Sequence, residues 1–306
     1  MDDASLLCEL TPVAERLLER HLDTAKEWFP HDLVPWGRAC DFDADTAWTE
    51  ADSDIVDPAV RSSLFVNLLT EDNLPYYFRT IERMFGAEDV WGTWARRWTA
   101  EEGRHSIVIR DYLTVTRAID PVGLERGRMR QVCGGEVPEP PSVADGFVYV
   151  ALQELATRIS HRNTGKRIED RAGYDVMARV ASDENLHYLF YRDLTSAALE
   201  VDPSAVVLAI ERQVREFEMP GTGIPDFEVH ASAIAKAGIY DFLIHHEQIL
   251  VPVVMRHWAV ESLTGLTPEA EEARARLTTR IDRIGRAGRR FAERRSEQQQ
   301  ELVTAS

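Results

Sequence analysis

Cysteine is scarce in this chain, and its three copies lie far apart in the sequence. They are Cys8, Cys40 and Cys133. No two of them form a Cys-x-x-Cys pair, so a zinc site or a redox dithiol built on cysteine is not expected. A small, odd and scattered set of thiols is instead typical of a protein in a reducing compartment.

Positive charge and long apolar segments are lacking as well. The formal net charge is −17 for 306 residues, whereas general nucleic-acid binding needs a positive field. No run approaches the ~18 apolar residues that a bilayer-spanning helix requires. The first residues are acidic and show no basic-then-apolar signal pattern. We therefore expect a soluble, cytoplasmic protein that inserts into no membrane and binds no nucleic acid.

Strand-like alternation of apolar and polar residues does not stand out anywhere in the chain. Apolar residues recur at helical spacing instead, which predicts an all-α protein. Thr11 is expected to cap the first helix, and Pro75 to kink the second. The predicted helices cover residues 11–29, 57–86, 87–119, a short stretch within 120–141, 142–169, 172–200, 203–219, 227–263 and 268–297.

The connections suggest one domain. A long acidic connection is expected at 31–57, and no segment has the composition of a linker between domains. We expect a single domain over residues 1–306, with its core at about 10–290. Residues 298–306 begin with three glutamines and are predicted to form a disordered tail.

Four glutamates and two histidines recur in the same order along the predicted helices. Two Glu-x-x-His units begin at Glu102 and Glu184, and a lone glutamate precedes each unit by 31 residues in one half and 30 in the other. All six lie on apolar helix stripes, where an unpaired carboxylate would be very unfavourable. The six residues are Glu71, Glu102, His105, Glu154, Glu184 and His187. This order is typical of the ligands of a carboxylate-bridged di-iron or di-manganese centre in a helix bundle. We therefore predict a ferritin-like four-helix bundle with a di-metal core, extended by additional helices.

An alternative explanation is that these residues form ion pairs at the edge of an ordinary helical core. One Glu-x-x-His is expected by chance, but here there are two, and the i, i+3 spacing places both side chains of a unit on one helix face. Carboxylates can bridge two irons, and imidazole suits each outer position. Ion pairing explains neither the repeated spacing nor four carboxylates on buried stripes.

Three nearby side chains have two interpretations each. The Thr157 hydroxyl could face the metals, or it could bond to its own helix backbone. Asp183 could orient His105 or His187, or it could form a surface salt bridge. His161 lies two turns after Glu154 and is predicted to be a core histidine rather than a ligand.

These residues resemble those of the soluble acyl-acyl-carrier-protein (acyl-ACP) desaturase family. The matching stretches are TEDNLP (70–75), WTAEEGRH (98–105), QELAT (153–157), ISH (159–161), DENLH (183–187) and WAVESLTGL (258–266). The resemblance covers roughly residues 10 to 290. It departs at Gly103, where plant members have Asn, and it is poor around 31–57 and 268–306.

The resemblance implies that the six residues bind two iron ions per chain, with Glu102 and Glu184 as the bridging pair. Thr157 falls where the family has a threonine linked to oxygen activation. Trp28 and Asp183, with His105, fall where electrons are thought to pass inward from the surface. The implied reaction is the O2-dependent introduction of a cis double bond into a fatty acyl chain on acyl carrier protein, in a homodimer supplied with electrons by ferredoxin. An arginine patch for the acidic carrier is expected among Arg96, Arg97, Arg104, Arg126, Arg128 and Arg130.

Two other functions remain open at this point. The same centre could hydroxylate or N-oxygenate a carrier-bound intermediate, because the position of the substrate decides the outcome. The second alternative is a ferritin-like iron-binding protein without enzymatic activity, although such bundles are usually shorter. A ribonucleotide-reductase small subunit is disfavoured, since Ile109 stands where that family has its radical tyrosine.

Overall fold

The computed structural model describes residues 1–42, 47–53, 55, 57–218, 221, 223–224 and 226–305, and it contains no strand in this part of the chain. The expected all-α fold is therefore confirmed. The first six helices are α1 (Asp3–Thr24), α2 (Pro30–Leu33), α3 (Pro58–Glu71), α4 (Leu74–Phe85), α5 (Asp89–Val115) and α6 (Pro121–Gly134). The next six are α7 (Val143–Arg167), α8 (Arg171–Val201), α9 (Pro203–Glu216), α10 (Phe227–Lys236), α11 (Phe242–His245) and α12 (Pro268–Ala305).

The first helix starts earlier than predicted. Asp2 caps α1, because its side chain accepts a hydrogen bond from the Ser5 backbone nitrogen at 2.8 Å. Pro12 lies inside the helix, and the Thr11 hydroxyl donates to the Leu7 carbonyl at 2.9 Å instead of capping a terminus. The expected start at Thr11 was wrong because an acidic cap nine residues earlier is the stronger signal.

The predicted helix over 57–86 is two helices. Helix α3 ends at Glu71, and α4 begins at Leu74 with Pro75 in its first turn. The break thus precedes the proline, as expected for a residue that lacks a backbone donor and restricts its predecessor. The Asn73 side chain accepts a hydrogen bond from Gln131 of α6 at 2.6 Å, which ties the break to a neighbouring helix. Glu71 therefore stands at the last position of α3.

Helices α3, α5, α7 and α8 form the central bundle, and α1 packs against α5 and α8. Two apolar clusters fill it: one includes Trp94 and Phe147, and the other includes Tyr112 and Met177. Along α5 and α8, the Glu-x-x-His units lie between these clusters. The two units are therefore buried in a polar layer between two apolar regions.

The C-terminal third differs from prediction in one place. The predicted helix over 227–263 divides into α10, α11 and a π-helical segment, His246–His257, that contains Pro252. Helix α12 spans Pro268–Ala305. Within the described residues, no helix is both long and apolar enough to cross a membrane.

Candidate metal centre

The fold brings the six predicted ligands together in the buried layer of the bundle. Glu71 comes from α3, Glu154 from α7, and the two Glu-x-x-His units from α5 and α8. None of the six is more than 7% exposed. Each of the six lies three or four residues from apolar residues of its own helix that belong to the core. All six side chains therefore face the bundle interior.

His105 organises one half of the cluster. Its Nδ1 atom lies 3.2 Å from Glu102 Oε2, 3.4 Å from Glu184 Oε1 and 3.7 Å from Glu71 Oε2. One ligand atom from each of these four residues lies within 4.8 Å of the others. Three carboxylates and one imidazole nitrogen therefore converge on one point.

His187 organises the other half in the same way. Its Nδ1 atom lies 2.7 Å from Glu102 Oε1 and 3.6 Å from Glu154 Oε2. Glu102, Glu154, Glu184 and His187 form a second group whose ligand atoms lie within 4.8 Å of one another. Glu102 and Glu184 belong to both groups, which is the position that bridging carboxylates occupy in a di-metal centre.

The buried atoms of the cluster fit a pair of iron ions. His187 Nδ1, Glu102 Oε1 and Glu154 Oε2 are fully buried and have no hydrogen-bond partner, although the first two are only 2.7 Å apart. His187 Nδ1 and Glu102 Oε1 are this close without hydrogen-bond geometry. Their arrangement is that of two ligands of one cation. Buried polar atoms otherwise have partners, and a set of carboxylates with one imidazole per ion suits iron.

Electrostatics also favour bound cations. Burial raises the pKa of Glu154 well above its usual range, and the neighbouring charge of Glu184 raises it further. Burial acts in the same direction on Glu184, but hydrogen bonds with His105 and His161 hold its pKa well below the usual range. Four buried carboxylates in contact repel one another. Two divalent cations would balance their charge.

Two further carboxylates, Asp183 and Glu101, lie on the side of the histidines that faces away from the cluster. We call them the outer carboxylates. Asp183 Oδ2 lies 3.5 Å from Nε2 of His105 and accepts a hydrogen bond of 2.7 Å from Trp28 Nε1. Of the two histidines that Asp183 was predicted to orient, the structure therefore places it against His105. Glu101 lies behind His187 and accepts from its Nε2 at 3.0 Å.

Glu101 was missed in the sequence, as was its other partner, His21 of α1. His21 Nε2 lies 2.9 Å from the same Glu101 oxygen that His187 contacts. A signal for Glu101 was present, because an acidic residue precedes the glutamate of both Glu-x-x-His units. No signal marked His21, since its role depends on how α1 packs against α5.

Thr157 contacts both its own helix backbone and a predicted ligand. Its hydroxyl lies 3.0 Å from the Glu154 carbonyl and 3.2 Å from the Gln153 carbonyl of its own helix. The same oxygen lies 3.1 Å from Glu184 Oε2. Thr157 is 7% exposed, so its hydroxyl is a buried proton-bearing group directly beside Glu184, a carboxylate that belongs to both ligand groups.

Comparison with known proteins identifies the family. A sequence profile described as fatty acid desaturase matches residues 2–306. DesA1 of Mycobacterium tuberculosis, a proposed acyl-[acyl-carrier-protein] desaturase, is 41% identical over 287 residues, which span 90% of this chain and 84% of DesA1. The chain belongs to the acyl-ACP desaturase family. The chloroplastic palmitoyl-[acyl-carrier-protein] 4-desaturase 3 of Ophrys sphegodes is 28% identical over 283 residues, or 87% of this chain and 71% of that protein.

A solved structure supports the same assignment. The X-ray structure of DesA2 from Mycobacterium tuberculosis, a proposed acyl-ACP desaturase, superposes with a TM-score of 0.70 at 27% identity. The match covers 88% of this chain and 99% of the DesA2 chain. The ferritin-like fold is thereby confirmed, and membership in the acyl-ACP desaturase family makes this chain an oxidoreductase.

In this acyl-ACP desaturase family member, a cavity of about 80 Å³ adjoins the cluster. Glu71, Thr157 and His161 contribute to its polar wall, and Val66, Phe227 and Ile234 contribute to its apolar wall. His161 is buried and lies 3.1 Å from Glu71 Oε1. It was predicted to be a core histidine. The structure places it at the boundary between the cluster and the cavity.

The expected arginine patch is only partly exposed in this desaturase family member. Arg97, Arg104 and Arg128 form ion pairs with Glu101, Asp183 and Asp72, at 2.5, 3.4 and 2.7 Å respectively. Arg126 and Arg130 are exposed on α6, and Arg96 is exposed on α5. Half of the predicted patch thus supports the outer carboxylates and the end of α3.

Proposed function

We propose that this protein is an O2-dependent di-iron desaturase that introduces a cis double bond into a fatty acyl chain carried on acyl carrier protein. The observation that carries the proposal is the pair of overlapping ligand groups that share Glu102 and Glu184. The relatives named as acyl-[acyl-carrier-protein] desaturases support the substrate and its carrier.

The ligand assignment is part of the proposal. Glu71 and His105 would hold one iron, and Glu154 and His187 the other. Glu102 and Glu184 would bridge the two ions. Removing hydrogen from unactivated methylenes is beyond ordinary acid–base side chains, so the iron pair with O2 would supply the oxidising power.

The protein's own side chains have three tasks in this reaction. Apolar clusters on either side of the polar layer exclude water. Thr157 holds a proton at Oγ1, 3.1 Å from Glu184, where it can be delivered to the reacting centre. Trp28 and Asp183 lead from the periphery of the bundle to His105, and we assign to them the inward passage of electrons.

Substrate and partners complete the proposal. The cavity beside Glu71 and Thr157 is the place where an acyl chain would come closest to the irons. Arg126 and Arg130 are exposed and suit an acidic carrier. From the family resemblance we further propose a single-domain homodimer that works in the cytoplasm with a ferredoxin as electron donor.

Product analysis tests the proposal. The purified protein is reconstituted with Fe(II) and supplied with ferredoxin, a reductase, O2 and acyl carrier protein bearing saturated chains of several lengths. We expect mono-unsaturated fatty acids whose formation stops without O2 and in Glu102→Ala. The exposed Glu19→Ala variant should behave as wild type.

Other outcomes would point to the other functions. Hydroxylated products would show that the same centre catalyses oxygenation instead of desaturation. O2-dependent iron accumulation far beyond two ions per chain would indicate iron storage. Absence of any product across all chain lengths would contradict the proposed function.

A further inference from the structure

The repeated motif of the sequence is longer than Glu-x-x-His. In both halves an acidic residue precedes the glutamate, and an arginine stands four residues before that acidic residue. The common pattern is Arg-x-x-x-acid-Glu-x-x-His. It comprises Arg97, Glu101, Glu102 and His105 on α5, and Arg179, Asp183, Glu184 and His187 on α8.

The outer acidic residues act across the two helices. Glu101 accepts from Nε2 of His187, which belongs to the other motif, at 3.0 Å. Asp183 lies 3.5 Å from Nε2 of His105, again in the other motif. Each carboxylate is also paired with the arginine of its own motif. Both histidines therefore present Nδ1 to the cluster and Nε2 to an outer carboxylate.

The N-terminal segment reaches both outer carboxylates. His21 contacts Glu101 at 2.9 Å, and Trp28, seven residues later, donates to Asp183 at 2.7 Å. The His21 ring stacks on His187, with centroids 5.9 Å apart and an interplanar angle of 20°. The Trp28 ring stacks on His105 at 6.4 Å and 16°. The two sides therefore match in geometry, although one uses an imidazole and the other an indole.

Geometry gives Glu101 and His21 a defined effect on His187. A carboxylate at Nε2 keeps the proton on that nitrogen, so the lone pair of Nδ1 is free for a metal ion. Glu101 is 3% exposed and His21 is 4% exposed, so water does not compete for these contacts. His21 and Arg97 hold the two oxygens of Glu101 in place.

We propose that Glu101 and His21 are positioning residues for the metal ligand His187, as the counterparts of Asp183 and Trp28 behind His105. Glu101 orients the ring through Nε2, and His21 fixes Glu101 while packing on the ring. The inference rests on the di-metal centre of the proposed function, and it is independent of the acyl substrate.

Cobalt binding tests the inference without any turnover. Wild type and variants are titrated with Co(II) alone, in competition with a chromophoric chelator, to give two dissociation constants. We expect Glu101→Gln to weaken one of them by about 10- to 100-fold. His21→Leu should weaken the same site, and His21→Gln, which keeps an N–H donor, should restore most of the affinity.

Proton NMR of the Co(II)-loaded protein identifies the affected side. A histidine bound through Nδ1 keeps an Nε2 proton that exchanges with solvent and is shifted by the paramagnetic ion. We expect two such resonances, which disappear in D2O. Glu101→Gln and His21→Leu should move one of them, whereas Asp183→Asn should move the other.

Controls separate positioning from a merely structural role. Glu19→Gln and His31→Gln make the same substitutions at exposed positions and should leave both constants unchanged. Unchanged constants and resonances in Glu101→Gln and His21→Leu, with only a lower melting temperature of the metal-free protein, would overturn the inference. If Glu101→Gln does not fold, the dissociation constants and resonances of His21→Leu and His21→Gln are sufficient to test the inference. Failure of wild type to bind Co(II) would overturn the metal centre as well, whereas normal Co(II) binding without desaturation would overturn only the proposed reaction.

Discussion

The Nδ1 atom of His187 lies 2.7 Å from Oε1 of Glu102, which opens the other Glu-x-x-His unit. Glu184 mirrors this relation, because its Oε1 lies 3.4 Å from Nδ1 of His105. Each unit thus supplies a carboxylate to the histidine of the other. Neither unit completes a site alone, which explains why one Glu-x-x-His carries little information in a sequence and a pair carries much.

Shared and unshared carboxylates should differ in the number of ions they control. Glu102 belongs to both ligand groups, whereas Glu71 belongs to one. After anaerobic loading with Fe(II), we expect about two irons per wild-type chain, about one for Glu71→Ala and nearly none for Glu102→Ala. Elemental analysis after desalting measures this, with the exposed Glu19→Ala as control. Equal iron in the two site variants would contradict the bridging assignment.

Glycine at position 103 is not required by the packing. A Cβ at Gly103 would meet only Leu74, at 3.9 Å, and alanine is favoured over glycine inside a helix by about 1 kcal/mol. We therefore expect Gly103→Ala to raise the free energy of unfolding by up to about 1 kcal/mol, as measured by urea denaturation. Gly173→Ala is the matched contrast, because its Cβ would overlap the Tyr112 hydroxyl. Destabilisation by both substitutions would contradict the packing described around Gly103.

Local periodicity was sufficient to predict the inner cluster. Glu102 and His105 lie three residues apart on a stripe of core residues, so the helix itself determines that both face inward. The predicted ends of α5, α7 and α8 lie within a few residues of the observed ones for the same reason. The break after Glu71 was misplaced because its position depends on contacts of Asp72 and Asn73 with α6.

The outer contacts could not be predicted in the same way. Glu101 points away from the stripe of Glu102, as neighbouring residues on a helix do, and its burial depends on α1 covering that face. Asp183 was considered because it adjoins Glu184 in the sequence, and the family resemblance then placed it on the path of the electrons. His21 lies in a helix whose start was itself misplaced, so its register against α5 could not be derived from periodicity.

Thr157 should be sensitive to loss of its hydroxyl rather than to change of shape. Thr157→Val keeps the side-chain volume but removes the contact with Glu184. We expect turnover to fall on the order of 100- to 10,000-fold, as for loss of a positioned proton donor, with Thr157→Ser close to wild type. The rate of product formation at saturating substrate measures the effect. Equal activity of the Val and Ser variants would contradict a role of the hydroxyl in the reaction. Its hydrogen bonds to the helix backbone would then be its whole function.

Trp28 should matter for the delivery of electrons. Trp28→Phe keeps an aromatic ring near His105 but removes the Nε1 donor to Asp183. We expect slower reduction of the oxidised iron centre by ferredoxin, and a loss of about 1–3 kcal/mol in stability because a buried carboxylate loses a partner. Stopped-flow absorbance measures the reduction. Trp36→Phe, at a tryptophan that is 48% exposed, is the control, and an equal rate in both variants would contradict the proposed path.

His245 should make stability depend on pH. The side chain is buried, Nδ1 accepts a hydrogen bond from the Tyr240 hydroxyl at 2.9 Å, and the ring packs on Phe217. Burial, with a smaller contribution from the charge of His246, lowers its pKa to about 4. The folded protein therefore keeps His245 neutral at pH values where the unfolded chain, with a histidine pKa of about 6.5, already binds a proton.

The sign of the effect follows from this difference in proton uptake. Stability is unaffected by His245 well above pH 6.5 and falls as the pH drops from about 6.5 to about 4, by roughly 3 kcal/mol in total. Urea denaturation across this range should show a steeper acid loss for wild type than for His245→Gln, which has no proton to gain. His31→Gln, which removes an exposed histidine, is the control and should keep the wild-type slope. If His245→Gln loses stability with acid as steeply as wild type does, then His245 is protonated in the fold at mild pH and its hydrogen bond with Tyr240 is not the one described.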